Sequence, residues 1–405
     1  ATDSWPWTSF TTLEAMARRG LRVVQQSPSV LYALEQVTDL EQIKVGGRPS
    51  AFHVPVSIGR GAPLDVMAHV LDEAMRQRVS LLASLSRDER EFLFDEAATV
   101  ATNYVPQISE VTESVRAQLA DEGRWVRLLH DERVLRGLVS IAAHCATLLD
   151  VRQLADLSAS FLQADSQSPR RLSVPGITGE VLAVRETAAG LIVIGGRGPN
   201  HYALDGRIAL LIDLGGDDIY EGLIGANASA EQGLSFVIDL GGNDQYRSAS
   251  FGLGTGRLGI GMVVDVAGDD VYELAMGSGG VGLAGIGILE DRAGNDQYRG
   301  TSLTQGAAIM GVGVLVDRAG YDSYTAHVYG IGFGGPHGMG ALFDLDGNDV
   351  YVCGGAQASH YNALDAPKAK PGDADFQYDC FGLGAGAGRR VFVGEPALSI
   401  LSQSG

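Results

Sequence analysis

One short theme, DLGGNDQY at Asp239–Tyr246, returns at an almost fixed interval through the second half of this chain, and that interval restricts the fold more than any other feature. Its first aspartate falls at Asp213, Asp239, Asp265, Asp291, Asp317 and Asp344, with four spacings of 26 residues and one of 27. A glycine stands three residues on in every copy: Gly216, Gly242, Gly268, Gly294, Gly320 and Gly347. A second aspartate stands five residues on, at Asp218, Asp244, Asp270, Asp296, Asp322 and Asp349. A tyrosine stands seven on, at Tyr220, Tyr246, Tyr272, Tyr298, Tyr324 and Tyr351. A degenerate copy, GGRGPNHY, precedes these six and puts Gly195 and Asn200 in the aspartate places.

Ahead of each first aspartate runs a strand-length apolar segment, as in GIGMVVD, GIGILED, GVGVLVD and GMGALFD, and each ends at a Gly/Asp turn. Helices hold so much glycine poorly. A strand-and-turn unit at this period predicts a parallel β-solenoid, with each strand beside its equivalent in the next coil at about 4.8 Å. Propeller blades need about 40 residues each and fit badly. Strict stacking also accounts for many of the 55 glycines, which crowd after residue 186. Gly259 and Gly261, Gly285 and Gly287, Gly311 and Gly313, and Gly338 and Gly340 are predicted to form ladders where another backbone comes close. Both faces of these strands are apolar. Val263, Leu289, Leu315 and Leu342 point one way, into the solenoid; Val264, Val316 and Phe343 point the other, with Glu290 as the lone charge. The second face needs a cover, and the N-terminal part of the chain is the expected one.

Residues 1–170 read as an all-α domain of about six helices. Leu64, Met67, Leu71 and Ala74 share one helical face, and Ser86 and Glu89 have capping-box spacing. Ile108, Val111, Val115 and Leu119 continue the period, as do Val134, Leu138, Ile141, Cys145 and Leu148. His130 and His144 fit no HExxH pattern and read as core or surface histidines. A polar, proline-punctuated linker around 163–176 separates this domain from a solenoid domain over 171–398. The clear repeats cover 206–358, with degenerate coils at both ends, and GEVLAVRETAAGLIVIGG reads as two short strands around a turn.

Stacking has an electrostatic consequence. Equivalent carboxylates about 5 Å apart repel by about 1 kcal/mol per pair in water and about 3 at an effective dielectric of 20. The twelve aspartates named above therefore need compensation. Calcium would supply it through hard oxygen ligands, and six ions would bring the net charge from −19 to −7. Turn amides are the alternative source, with each Asp closing an Asx-turn and each Gly supplying the backbone freedom. The core G-N-D-x-Y resembles half of the calcium-binding nonapeptide G-G-x-G-x-D-x-U-x of RTX proteins. Gly242 and Asp244 match that family's glycine and aspartate, and Tyr246 its large apolar position; Asp239 replaces its leading glycine, and the period is 26 rather than nine. The resemblance implies calcium held between coils by the aspartates and turn carbonyls. The tyrosine column reads as a packing ladder.

The net charge of −19 argues against nucleic acid and anionic membrane as partners, and no apolar run reaches the length of about 18 residues a membrane-spanning helix needs. The opening ATDSWPW fits a mature terminus after signal removal as well as a shortened chain. The repeat decays towards the C-terminus, where His327, His337 and His360 fall and where a polar insertion spans 359–380. Cys353 and Cys380 are 27 residues apart, about one coil. That separation fits a disulfide, two buried thiols, or a thiol–imidazole pair in which Cys380 works beside Asp379 with His337 or His360. The glycine strings GLGTGRLG and GLGAGAG lack the lysine of a phosphate loop. The functional expectation is a secreted or periplasmic, calcium-stabilised module that binds a protein or glycan on its solenoid face. The alternative is a hydrolase or polysaccharide lyase, for which Arg257, Arg292, Arg299 and Arg318 are the available bases.

Overall fold

The computed structural model of the protein describes residues 63–104, helical pieces within 121–161, residues 172–355, Cys380, residues 382–384 and the strand Leu398–Gln403. Ile108, Val111, Val115, Leu119 and His130 lie outside the described residues.

The second half is a parallel β-solenoid. Each coil contributes one strand that ends in the first aspartate and one that carries the tyrosine. The aspartate strands form a nine-stranded sheet. It includes Ile208–Asp213, Leu234–Asp239, Ile260–Asp265, Ile286–Asp291, Val312–Asp317 and Met339–Asp344, with the aspartates in one row. The tyrosine strands form an eight-stranded sheet with Tyr202, Tyr220, Tyr246, Tyr272, Tyr298, Tyr324 and Tyr351 in register. A third side is made by the short strands Gly256–Arg257, Gly282–Leu283 and Ala308–Ile309.

The two faces of the aspartate sheet divide as the alternation predicts. Val237, Val263, Leu289, Leu315 and Leu342 join the tyrosine column in the solenoid interior. Ile238, Val264, Val316 and Phe343 lie on the other face and share a core with the helices. Three helices are described: α1 (Pro63–Leu81), α2 (Arg87–Tyr104) and α3 (Arg133–Cys145). Met67, Leu71 and Ala74 of α1, and Val134, Leu138, Ile141 and Cys145 of α3, are buried in that shared core as their spacing predicts. The capping box is also present at the start of α2, where the Ser86 amide donates to Glu89 at 2.8 Å and the Glu89 amide donates to Ser86 Oγ at 3.2 Å.

Polar groups fasten helices to coils. Arg78, near the end of α1, is buried, and its Nη2 donates to the Ala230 and Leu258 carbonyls at 2.5 and 2.8 Å, joining two coils. Arg257 lies over the Phe94 ring of α2 at 3.9 Å. Glu290 is not the uncompensated charge that the strand pattern implies. It is fully buried, and Arg318 and Arg292 from the following turns place their Nε atoms 2.7 and 3.3 Å from its Oε1.

The ends are closed differently. At the N-terminal end Val181–Thr187 pairs antiparallel with Gly190–Gly195, and Ile177–Thr178 pairs antiparallel with His201–Leu204. At the other end Leu398–Gln403 adds a parallel strand to Met339–Asp344 and sets Gln403 opposite Asp344. The repeat spacing hides this strand, because residues 356–397 intervene.

The invariant glycine has a steric cause. A Cβ on Gly268 would lie 1.6 Å from the Gly242 carbonyl oxygen, and on Gly294 1.7 Å from that of Gly268. The turns therefore stack backbone on backbone. Gly268→Ala is expected to lower stability by about 1–3 kcal/mol through overpacking. Gly198→Ala, where a Cβ would meet nothing within 4 Å, should stay within about 0.5 kcal/mol of the parent. Chemical-denaturation midpoints of both variants check this, and equal midpoints would contradict the stacking account.

Candidate metal centre

The twelve repeated aspartates form two parallel columns inside the turns. Those of the first column (Asp213, Asp239, Asp265, Asp291, Asp317 and Asp344) are all fully buried. Each stands at the end of a strand, where the chain turns back over its carboxylate. In the first four coils Oδ1 closes an Asx-turn, accepting the amide of Gly215, Gly241, Ala267 or Ala293 at 2.6–3.1 Å. Oδ2 accepts a tyrosine hydroxyl from the coil before. Tyr246 donates to Asp265 at 2.6 Å, Tyr272 to Asp291 at 2.6 Å and Tyr298 to Asp317 at 2.7 Å, and Tyr202 and Tyr220 bond Asp213 and Asp239 in the same way. The tyrosine rings stack with centroids 4.7–4.9 Å apart. They are a buried packing ladder, as the sequence implies, and also the hydrogen-bond donors to the first column, which spacing alone does not reveal.

The second column joins coil to coil. The amide of each member donates to Oδ1 of the next: Asp218 to Asp244 and Asp244 to Asp270 at 2.6 Å, Asp270 to Asp296 and Asp296 to Asp322 at 2.7 Å, and Asp322 to Asp349 at 2.8 Å. The other oxygen is left over. Oδ2 of Asp218, Asp244, Asp270, Asp296 and Asp322 is buried and accepts no hydrogen bond. A buried carboxylate oxygen without a donor is costly, and here the cost recurs coil after coil.

Charge adds to that cost. Burial, with the Asp213 charge beside it, pushes the Asp218 carboxyl up to about 8. Burial and Asp239 push Asp244 up to about 9. Burial likewise raises Asp270 to about 7, and Asp296 and Asp322 to about 8. In the first column it raises Asp213 to about 7, and lifts Asp239, Asp265 and Asp291 as well.

The carboxylates of the two columns converge. Carboxylate oxygens gather within 4.8 Å of one another in five groups of three: Asp213, Asp218 and Asp239; Asp239, Asp244 and Asp265; Asp265, Asp270 and Asp291; Asp296, Asp317 and Asp322; and Asp322, Asp344 and Asp349. All donors in these groups are hard oxygens, which suits calcium or magnesium and not the softer transition metals. Comparison with protein-family models, curated proteins and solved structures finds no match to the chain. The chemistry is therefore read from this geometry alone.

The degenerate copy ends both columns without charge. Asn200 takes the second-column place; its amide donates to Asp218 Oδ1 at 2.6 Å and its side-chain Nδ2 to the Tyr202 hydroxyl at 2.5 Å. Gly195 takes the first-column place, where a Cβ would lie 2.2 Å from Asp213 Oδ2. On the rim outside the columns a third ladder runs through exposed Asp217, Asn243, Asp269 and Asn295, each side chain accepting the next coil's amide at 2.8–3.2 Å. The four-on position is Asp or Asn in five of the six copies, which is the signal of this ladder in the repeat.

The other candidates do not assemble. Cys380 is joined to Cys353 in a disulfide with the Cα atoms 5.3 Å apart, so the thiol–imidazole pairing has no thiol to act as nucleophile. His337 lies in the turn before Met339–Asp344 with φ of 47°; His360 and Asp379 are outside the described residues. Of the arginines considered as bases, Arg292 and Arg318 face Glu290, Arg257 stacks on Phe94, and Arg299 bonds Gln297.

The raised carboxyls set a pH dependence for the cation-free protein. Between about pH 4 and 9 the unfolded chain holds these groups ionised, whereas the folded chain retains protons on them. Stability is thus highest below the ordinary carboxyl range and is lost as pH rises through the folded values. Thermal melts in chelator at about pH 5, 7 and 9 should give successively lower midpoints. A midpoint that climbs with pH would mean that the chain's own donors already compensate the columns.

Proposed function

We propose that the protein is an exported structural and binding module: a solenoid held together by calcium ions between its coils, which presents one open face to a protein or glycan partner. The reading is carried by the repeated, buried, donor-less Oδ2 of Asp218, Asp244, Asp270, Asp296 and Asp322, each facing further carboxylates. Nothing else among the described residues supplies the missing positive charge to these oxygens.

The face left for a partner is the outer side of the tyrosine sheet. Among the described residues, helices share a core with the aspartate sheet and with Leu283 and Ile309 of the third side, and none covers this side. It carries an alternating column of Glu221, Arg247, Glu273 and Arg299, with Arg247 placed 3.2 Å from Glu221 and 3.8 Å from Glu273. Beside it runs a row of Gln245, Val271, Gln297 and Ser323. A flat surface of paired charges and amides suits polar, hydrogen-bonding partners. Export is supported by the Cys353–Cys380 disulfide, a bond favoured in oxidising compartments.

Elemental analysis of the purified protein, followed by melting with and without EGTA, tests the cation. Each filled site adds about 2.7 kcal/mol at a hundredfold excess of ion over its dissociation constant, so removal should lower the midpoint strongly and calcium should restore it. An unchanged midpoint in EGTA together with no bound divalent ion would sink the reading.

A further inference from the structure

The columns repeat in sequence but not in geometry. In the first three carboxylate groups two members come from the first column and one from the second: Asp213 and Asp239 with Asp218, Asp239 and Asp265 with Asp244, and Asp265 and Asp291 with Asp270. In the last two the proportion reverses, with Asp317 between Asp296 and Asp322, and Asp344 between Asp322 and Asp349. No such group joins Asp291 to Asp296 or Asp317. The hydroxyl register changes at the same place. Up to Tyr298 each tyrosine bonds the first-column aspartate of the next coil, but Tyr324 turns back to Asp317 at 2.9 Å and Tyr351 to Asp344 at 2.5 Å, within their own coils. Asp317 Oδ2 therefore receives two hydroxyls. The leftover oxygens follow suit: Oδ1 of Asp317 and of Asp344 is buried and accepts no hydrogen bond, unlike Oδ1 in the four coils before. The Ala319 amide stays beside the Asp317 carboxylate as a weak, distorted donor and does not close the Asx-turn as its counterparts do.

We infer that the columns hold five divalent cations and not one per coil, in a run of three from Asp213 to Asp291 and a separate run of two from Asp296 to Asp349, with the break set by the doubly hydrogen-bonded Asp317. The inference rests on the cation reading above and specifies its sites. Within the first run neighbouring ions share Asp239 and then Asp265; within the second they share Asp322. Such sharing lets ions sit one coil apart, because a carboxylate lies between each pair of like charges. Seven carboxylates face six positive charges in the first run and five face four in the second, so each run is left one negative charge from neutral. What distinguishes the break is Asp317, whose Oδ2 takes two tyrosine hydroxyls where Asp239, Asp265 and Asp291 each take one.

The arrangement has a test that a uniform column would answer the other way. The full chain is stripped with EGTA, reloaded with calcium chloride alone, dialysed, and its calcium counted by elemental analysis against protein concentration, with folding followed by circular dichroism. The parent should hold five ions. Asp322→Asn should lose two, since Asp322 serves both sites of its run, and Asp317→Asn should lose one. In a uniform column, each site made of successive first-column aspartates and the second-column aspartate between them, the parent would also hold five ions but these losses would be one and two. Six ions in the parent, or the reversed pattern of losses, overturns the two-run arrangement and leaves the calcium reading standing. No bound ion overturns both. Should Asp322→Asn and Asp317→Asn fail to fold, Asp349→Asn, at the less buried end, decides: it should remove one ion, whereas a uniform column, which makes no use of Asp349, would lose none.

Discussion

Every part of this molecule answers to one constraint, the repeat distance of a parallel β-ladder. The tyrosine rings record it directly at 4.7 Å. Once residues are stacked at that distance, whatever a side chain likes or dislikes about its own kind is multiplied along the axis. Tyrosine gains from it, because its rings stack and its hydroxyls find acceptors. Glycine is compelled by it, since the Gly242 carbonyl fills the space that a Cβ on Gly268 would need. Aspartate is penalised by it. The fold meets that penalty partly with donors, one amide and one hydroxyl per first-column carboxylate in most coils and one amide per second-column carboxylate, and these bonds tie each turn to its neighbours. What the donors leave unmet is one oxygen of each second-column residue from Asp218 to Asp322, and one each of Asp317 and Asp344.

The helices answer a second demand of the same ladder. A coil with apolar residues on both faces of a strand needs two cores. The solenoid interior provides one, through Val263, Leu289, Leu315 and the tyrosines, and the contact with α1 and α3 provides the other. Buried arginines make this contact specific. Arg78 reaches two carbonyls from separate coils, and Arg292 and Arg318 accompany the single acid of the covered face. Removing such a partner from a buried charge costs far more than a surface pair would suggest.

Much of this was legible in the letters. A period of 26 with four fixed positions specifies a stack, the alternation in GIGMVVD assigns its faces, and Ser86 with Glu89 marks the start of α2. The columns were legible as columns for the same reason. Their internal order was not. Asp291 and Asp317 are the same residue in the same motif, yet one accepts a single hydroxyl and the other two, depending on which way a neighbouring tyrosine hydroxyl turns. The change coincides with the one 27-residue spacing, from Asp317 to Asp344, but that spacing does not say which way the hydroxyl turns. The pairing of Cys353 with Cys380 was one of several options at a spacing of about one coil, and the strand Leu398–Gln403 was hidden because it returns to the sheet after the period has been lost. Proximity between residues separated by an insertion is a property of the folded chain only.

The closed N-terminal end, with its antiparallel strands and the neutral pair Gly195 and Asn200, has a consequence for how such a protein changes over generations. Because the terminating pieces are distinct from the coils between them, a coil added or removed away from the helix anchors at Ala230, Arg257 and Leu258 would leave the pieces that close each end as they are. Length then becomes an inherited quantity counted in steps of 26 residues and 4.7 Å. The molecule is in this sense a ruler whose graduations are set by the backbone and whose length is set by how many coils lie between its two ends.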